Sequence, residues 1–179
     1  MTQTLTQTEL GIRRATWDDM EVIASFLRST AEWYRPFVAE QDMVEHDVPA
    51  SWKAENFARR EFYVGSLEGK PIGTVSLQDF GDYAYVGYVY LDADHVGRGH
   101  GRELLEFALG LASRRGKRGL TLIAHPEATW ATRAYLKFGF KLHAARREDV
   151  LAWNEGALQD YYEEGFQLFV YDLPSREER

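Results

Sequence analysis

The chain has 179 residues, 45% of them hydrophobic, and a formal net charge of −7, which fits one domain able to bury a core without a metal or disulfide staple. It has no cysteine and five histidines, none in a His-x-x-x-His pair, so disulfides, thiolate metal sites and a cysteine nucleophile are excluded and no metal is expected. The acidic balance argues against nucleic-acid binding, and the absence of a signal peptide or a long apolar run leads us to expect a cytoplasmic protein with no membrane partner.

The first third of the chain predicts one strand followed by helices. Residues 1–9 are polar and are expected to form a disordered tail, and LGIRR at residues 10–14 is predicted to be a strand. The pattern Thr16-x-x-Asp19 resembles a capping box and opens a helix whose apolar residues recur at helical spacing. The segment 29–60 is expected to hold one or two helices, interrupted near its prolines.

The middle of the chain predicts an antiparallel meander. Three extended runs between residues 61 and 93 are separated by LEGKP and DFGD, which are good turn sequences. The last of these strands is predicted from about Tyr83 to Leu91. A glycine-rich segment follows, and then an amphipathic helix from about Arg102 to Arg115, which ends at a glycine.

The last third predicts a buried strand, a helix and two more strands. GLTLIAH is the strand, EATWATRAYLKFGF is the helix closed by Gly139, and strands near FKLHAA and FQLFVYDL flank an acidic stretch. The resulting order, β–α–α–β–β–β–α–β–α–β–β, indicates an α+β fold with one strand–helix–strand crossover at its centre. We expect the domain to span residues 10–173 and to be followed by a polar C-terminal tail, 174–179.

The segment HVGRGHGREL, residues 95–104, places three glycines directly before the amphipathic helix. Backbone N–H groups at a helix start bind anions, and glycines allow a close approach, so the segment predicts a phosphate-binding turn rather than a loose loop. The dinucleotide-binding fingerprint fails because Arg102 stands where its third glycine is required. A Walker motif fails because Arg118 follows Gly116-Lys117 where Ser or Thr is required.

The same glycine segment resembles the acetyl-CoA pyrophosphate loop of the GNAT superfamily of N-acetyltransferases, which usually reads Gln/Arg-x-x-Gly-x-Gly/Ala. Gly99 and Gly101 match this pattern, whereas Val96 replaces the usual Gln or Arg. A second motif, A-x-x-x-YLKFGF at residues 131–140, resembles the family's later helix, whose tyrosine lies near the cofactor sulfur. The resemblance covers roughly residues 10–173.

The resemblance implies a three-layer α+β fold, in which a mixed, mostly antiparallel sheet of about seven strands is flanked by helices. It also implies an enzyme that transfers the acetyl group of acetyl-CoA to a primary amine by direct attack in a ternary complex, with no metal. The residues it assigns to acetyl-CoA are Val89, Tyr90 and Leu91 on the fourth strand, Val96, Gly97, Arg98, Gly99, His100, Gly101 and Arg102 on the loop, and Ala131 and Tyr135 on the later helix.

Two side chains are the predicted catalytic groups. By resemblance, Tyr135 is the general acid for the departing thiolate, against the alternative that it is only a packing residue. Some members carry a glutamate or histidine base at positions corresponding to 85 and 87, but this sequence has Tyr85 and Gly87. His125 is the best remaining candidate because its pKa suits the task; a structural His125, with a water chain or another segment accepting the proton, is the alternative.

The acceptor is expected to be a small cationic amine. Aromatic residues accompany many carboxylates in the early helical segment and the late connection, a combination that suits an organic cation. The predicted substrate-binding residues are Trp33, Tyr34, Tyr85 and Trp153. A packed lid or a homodimer contact is the alternative reading of these aromatics, and polyamines, aminoglycosides, amino-acid-like amines and peptide N-termini all remain open. The alternative functions are a protein or peptide N-acetyltransferase and a non-catalytic acyl-CoA-binding regulatory module.

Overall fold

The computed structural model describes residues 9–175 and 177–178. The strands are β1 Gly11–Arg14, β2 Glu61–Leu67, β3 Lys70–Phe80, β4 Tyr83–Leu91, β5 Gly119–Ala124, β6 Lys141–Ala144 and β7 Gln167–Asp172. The α-helices are α1 Met20–Tyr34, α2 Val44–Asp47, α3 Ala50–Arg59, α4 His100–Arg114, α5 Thr129–Phe138 and α6 Arg147–Ala152. Tails were expected at residues 1–9 and 174–179. Of these positions, 1–8, 176 and 179 lie outside the described residues.

The seven strands form one sheet in the order β1-β2-β3-β4-β5-β7-β6. The pair β4 and β5 is parallel and is connected by α4, whereas the other neighbouring pairs are antiparallel. The fold class expected from the sequence is therefore confirmed, including the meander and the single central crossover.

Helices cover both faces of the sheet because side chains alternate along each strand. On β2, Phe62 and Val64 belong to the core that includes Ile23 of α1 and Trp52 of α3. The intervening Tyr63 belongs to the opposite core, which α4 covers. The result is a three-layer arrangement with the sheet in the middle.

The segment between β1 and β2 folds as three helices. The helix expected to start at Thr16 is preceded by a single 3-10 turn, so α1 begins at Met20. Pro49 stands directly before α3, where a missing N–H costs nothing. In the acidic stretch, where the sequence predicted no helix, α6 forms and is followed by a 3-10 turn. No helix in residues 9–175 and 177–178 is long and apolar enough to cross a membrane.

The centre of the sheet opens where β4 and β5 diverge. Their pairing joins residues 83–85 to residues 119–121 and goes no further in the described chain. Next to this point β4 carries one extra residue relative to β3, a bulge opposite Ser76, whose hydroxyl accepts the Tyr88 N–H at 3.0 Å. Because a bulge bends and twists its strand, residues 86–91 turn away from β5, and their β5-facing edge borders a cavity.

Candidate active site

Two cavities meet at the opening between β4 and β5. The outer cleft, of about 480 Å³, runs from the 96–102 loop along α5. The inner cavity, of about 260 Å³, lies below α2, α3 and the turn before β7. The two share one wall, which consists of Tyr34, Val89, Tyr90, Ala131 and Tyr135. A ligand in one cavity therefore reaches a ligand in the other only across this shared wall.

The glycine loop gives the outer cleft an anion-binding end. Gly97 and Gly99 have φ of +84° and +88°, a backbone region that favours glycine. Gly99 is the N-cap of α4, and no described side chain caps that helix. Glu103, the acidic residue of the first turn, points away, since its carboxylate accepts the Leu10 N–H at 3.1 Å and contacts His100 Nδ1 at 2.7 Å. The first-turn N–H groups and the positive end of the helix dipole are thus free for a phosphate.

Ten of the twelve residues expected to contact acetyl-CoA line the outer cleft. Arg98 and His100 do not, because Arg98 is exposed on the loop and His100 is paired with Glu103. Two cationic side chains that the sequence analysis missed, Arg133 and Lys137, also line the cleft. Their spacing of four residues on α5 was the available signal, since it places them on one helix face.

Tyr135 lies in the shared wall, on α5. Its ring packs edge-on against Phe140 at 5.9 Å, and burial raises its pKa above the ordinary value of 10.0. Its hydroxyl has no hydrogen-bond partner among the described residues. A hydroxyl that stays protonated and unpaired is suited to donate to a group that gains negative charge.

A buried histidine–glutamate pair lies in the inner cavity and was not predicted. His46 of α2 has a side chain only 4% exposed, and its Nε2 lies 2.9 Å from Glu163 Oε1. The ring stacks on Tyr34 at 4.3 Å between centroids, and its Nδ1 lies 3.4 Å from the Tyr90 hydroxyl. If Nε2–H donates to the carboxylate, Nδ1 accepts the Tyr90 proton. A hydrogen-bonded path then runs from the shared wall to Glu163.

The surroundings of Glu163 make it a stronger proton acceptor than an ordinary carboxylate. Its side chain is 14% exposed, and burial raises its pKa above 4.5, with Glu45 and Asp42 adding to the rise and the His46 hydrogen bond opposing it. The turn is fixed because the Glu164 N–H donates to Asp42 Oδ2 at 2.9 Å. No local pattern joins two residues 117 positions apart, which is why the pair was missed.

His125, the predicted base, also lines the inner cavity. It stacks on Phe37 at 4.6 Å, and burial lowers its pKa below 6.5. The Glu127 N–H donates to its Nδ1 at 3.1 Å, so the neutral ring carries its proton on Nε2. This tautomer, assigned from the hydrogen bond, leaves no free lone pair, and a donor or packing role fits it better than a base.

The four predicted substrate-binding residues are not brought together. Tyr34 belongs to the shared wall, and Tyr85 lines the inner cavity, stacked on Phe80 at 4.7 Å. Trp33 lies in the outer cleft, edge-on to Trp130 at 5.6 Å. Trp153 packs on Tyr83, the first residue of β4, at 5.6 Å, outside both cavities. Its place in the acidic stretch led us to expect it near the acceptor, but its ring lies against the start of β4 instead. In the described part of the chain, no three His, Asp or Glu side chains are grouped to hold a metal ion.

The site thus combines a helix start free for phosphate, a divergent pair of parallel strands, and a polar cavity that shares one wall with the outer cleft. The model of the acetyltransferase (GNAT) family matches residues 24–140. The chain belongs to this family, as the glycine loop and the A-x-x-x-YLKFGF motif predicted.

Similar proteins support this assignment. The chain is 28% identical over 152 residues to an uncharacterised N-acetyltransferase of Methanocaldococcus jannaschii, an alignment covering 79% of this chain and 63% of that protein. The chain thus spans less than two thirds of that relative's length.

Two crystal structures share the fold. A PaiA N-acetyltransferase of Thermoplasma acidophilum in complex with coenzyme A has a TM-score of 0.69 and 17% identity, with 92% of this chain and 99% of that one covered. A GNAT family acetyltransferase of Elizabethkingia anophelis with acetyl-CoA bound has a TM-score of 0.62 and 14% identity, with 93% of this chain and 100% of that one covered.

Proposed function

We propose that this protein is an N-acetyltransferase that transfers the acetyl group of acetyl-CoA to the primary amine of a small molecule by direct attack in a ternary complex. The observation that carries the proposal is the wall shared by the two cavities. It contains the edge of β4 and the Tyr135 hydroxyl, so a carrier in the outer cleft and an amine in the inner cavity can meet only there.

The outer cleft fits acetyl-CoA, which supplies an activated thioester when bound. The free first-turn N–H groups of α4 suit a pyrophosphate, and Arg102, Arg133 and Lys137 add positive charge along the cleft. The β5-facing edge of residues 86–91 offers backbone groups for amide hydrogen bonds, since no strand of the described chain pairs with it there.

Tyr135 is the proposed acid. Its hydroxyl faces the shared wall, and its raised pKa keeps it protonated at neutral and alkaline pH. It donates a hydrogen bond or a proton to the departing sulfur, where negative charge grows as the thioester bond breaks.

The Tyr90–His46–Glu163 path is the proposed proton acceptor. An amine attacks only in its neutral form, so a group near the wall must take its proton. The Tyr90 hydroxyl passes the proton to His46 Nδ1, and the negative charge of Glu163 stabilises the imidazolium that forms. This path replaces the base that a β4 side chain at position 85 or 87 would supply.

The inner cavity suits an amine that arrives as a cation. The carboxylates of Glu45, Asp160 and Glu163 line it, together with the Tyr85 and Tyr161 rings, and such a lining attracts an ammonium group. Its volume of about 260 Å³ favours a small molecule over a polypeptide chain.

The test is thiol release from acetyl-CoA with a panel of small primary amines and short peptides. We expect release with one class of small amines and none with peptides of comparable amine pKa. Release with peptides alone would favour a peptide N-acetyltransferase. Tight calorimetric binding of acetyl-CoA with no release across the panel would favour a regulatory module.

A further inference from the structure

Arg60, directly after α3, lines the inner cavity, and its guanidinium forms no ion pair with any carboxylate of the described residues. Its Nε donates to Asn56 Oδ1 at 3.0 Å, and Asn56 is itself held by its bond to the Trp52 carbonyl at 3.0 Å. Nη1 is buried and has no hydrogen-bond partner among the described residues. A buried donor without a partner is costly, so the guanidinium, which lines the inner cavity, is left with Nη1 unsatisfied.

The surroundings hold Arg60 in this place. A Cβ at position 87 would collide with Nη1, so the guanidinium lies against the backbone of β4 because that residue is glycine. Aromatic rings surround it: its Cζ is 4.7 Å from the Tyr88 ring centroid, 5.0 Å from that of Tyr161 and 5.9 Å from that of Tyr85. These contacts fix the orientation of the guanidinium, and the Tyr85 hydroxyl also forms a hydrogen bond with it, but none of the three rings supplies a negative charge.

A second donor stands beside the guanidinium. The Tyr161 hydroxyl accepts the Gln78 amide at 2.9 Å, which leaves its own proton free to donate. Glu45, the nearby carboxylate, is engaged instead by the Tyr88 hydroxyl at 2.6 Å. The cavity thus holds two donors for an anion, Arg60 and Tyr161, as well as the proposed amine-activating path.

We propose that the acceptor carries a carboxylate, which Arg60 binds, and that it is an α-amino acid or a close analogue. This rests on the proposed function and narrows the class of its acceptor.

A strand rises about 3.4 Å per residue, so the guanidinium at Gly87 lies roughly 7–10 Å along β4 from Val89 and Tyr90. A hydrogen bond of about 2.9 Å and an attack distance of about 3–3.5 Å leave roughly 1–4 Å between carboxylate and amine. An α-amino acid meets this separation, whereas an extended ω-amino acid exceeds it.

The experiment compares matched acceptors in the same thiol-release assay. The panel consists of L-α-amino acids, their carboxamides, the decarboxylated amines and ω-amino acids of increasing length. Because an ionic hydrogen bond is lost with the carboxylate, we expect kcat/KM for the preferred acid to exceed that for its carboxamide by about 10- to 100-fold, mostly through KM. Extended ω-amino acids should be poor acceptors.

Variants of Arg60 test whether this residue causes the preference for acids over carboxamides. In Arg60→Met the ratio of acid to carboxamide should fall to about 1, and Arg60→Lys, which keeps the charge but loses the two-pronged geometry, should retain part of it. The exposed Arg114 on α4 provides a matched control, since Arg114→Met removes the same charge and should leave the ratio unchanged. If Arg60→Met fails to fold, the Lys variant still tests the assignment.

Calorimetric titration with the same acids separates the inference from the proposed function. If carboxamides or decarboxylated amines are acetylated as well as the acids, the inference fails and the acetyltransferase stands. If acids bind in an Arg60-dependent way but no thiol is released, the proposed function fails and the carboxylate site stands. If acids neither bind nor react, while other amines react, the carboxylate site is refuted.

Discussion

Replacing Tyr135 by phenylalanine separates its proposed chemistry from its packing. The ring contacts Phe140 at 5.9 Å and belongs to the margin of the core that α4 covers, and these contacts survive the change. Because the hydroxyl has no partner among the described residues, its removal breaks no bond in the free protein. We expect the free energy of unfolding to change by less than about 0.5 kcal/mol.

The effect on catalysis should be much larger. In the transition state the hydroxyl would donate to a sulfur that carries growing negative charge, and a hydrogen bond to a charged group contributes about 1.5–3 kcal/mol. That range corresponds to a fall in kcat of about 10- to 150-fold, with acetyl-CoA affinity within a few-fold of the parent's. Steady-state kinetics, calorimetric acetyl-CoA titration and urea unfolding measure the three quantities.

Tyr171→Phe provides the control. Tyr171 packs against Phe138 and Phe140 at the edge of the same core but lines neither cavity, so its loss of a hydroxyl should leave kcat unaltered. An unchanged kcat in Tyr135→Phe would make Tyr135 a packing residue. Equal losses of kcat in the two variants would point to a general effect on the core.

The remaining predictions concern the loop and the proton path. Gly101→Trp, whose Cβ would meet only Leu91 at 4.0 Å, should keep the fold but weaken acetyl-CoA binding by about tenfold or more in calorimetry, since the side chain blocks close approach to the helix start. Glu163→Gln should lower kcat at neutral pH by about 10- to 150-fold, because the amide cannot stabilise the His46 imidazolium as the carboxylate does. His125→Ala should leave the acidic limb of the pH–kcat/KM profile in place; the opposite result would return the base to His125. Burial raises the pKa of Glu163 above 4.5. Its contribution to the free energy of unfolding is therefore present in full below about pH 4.5 and is lost as the pH rises through the raised pKa. Urea unfolding from pH 4 to 8 should show the parent losing stability relative to Glu163→Gln.

The parts of the fold that the sequence predicts are those with local causes. The turns LEGKP and DFGD separate β2, β3 and β4 as expected, because glycine and proline restrict the backbone within a few residues. The glycine segment predicts the start of α4 for the same reason, since Gly99 adopts a φ of +88° at its N-cap. Ten of the residues predicted to contact acetyl-CoA therefore line the outer cleft, whereas Arg133 and Lys137 of α5, which also line it, were missed.

The inner cavity was predicted only in part. His125, Tyr34 and Tyr85 line it, but its buried charged residues were missed because they come from distant segments. His46 and Glu163 meet across 117 residues, and Arg60 reaches the cavity only because α3 ends beside β4. The sequence showed many carboxylates near aromatics but could not tell the buried Glu163 from an exposed neighbour such as Glu164. Tertiary packing decides that difference, and no periodicity reports it.

Gly87 bears on two features of the inner cavity that were not predicted, the Arg60 guanidinium and the His46–Glu163 pair. A side-chain base at that position would have to occupy space that the Arg60 guanidinium fills. With glycine there, the guanidinium lies against β4 and offers its donors to the cavity, while proton acceptance has to come from elsewhere. The His46–Glu163 pair lines the same cavity and reaches the shared wall through Tyr90. A glutamate at position 87 would therefore displace Arg60 or pair with it, and either result would remove the carboxylate-binding role proposed for Arg60. The missing Cβ of Gly87 therefore bears on both proposals: it leaves room for the Arg60 guanidinium, and it leaves β4 without a side-chain base at that position.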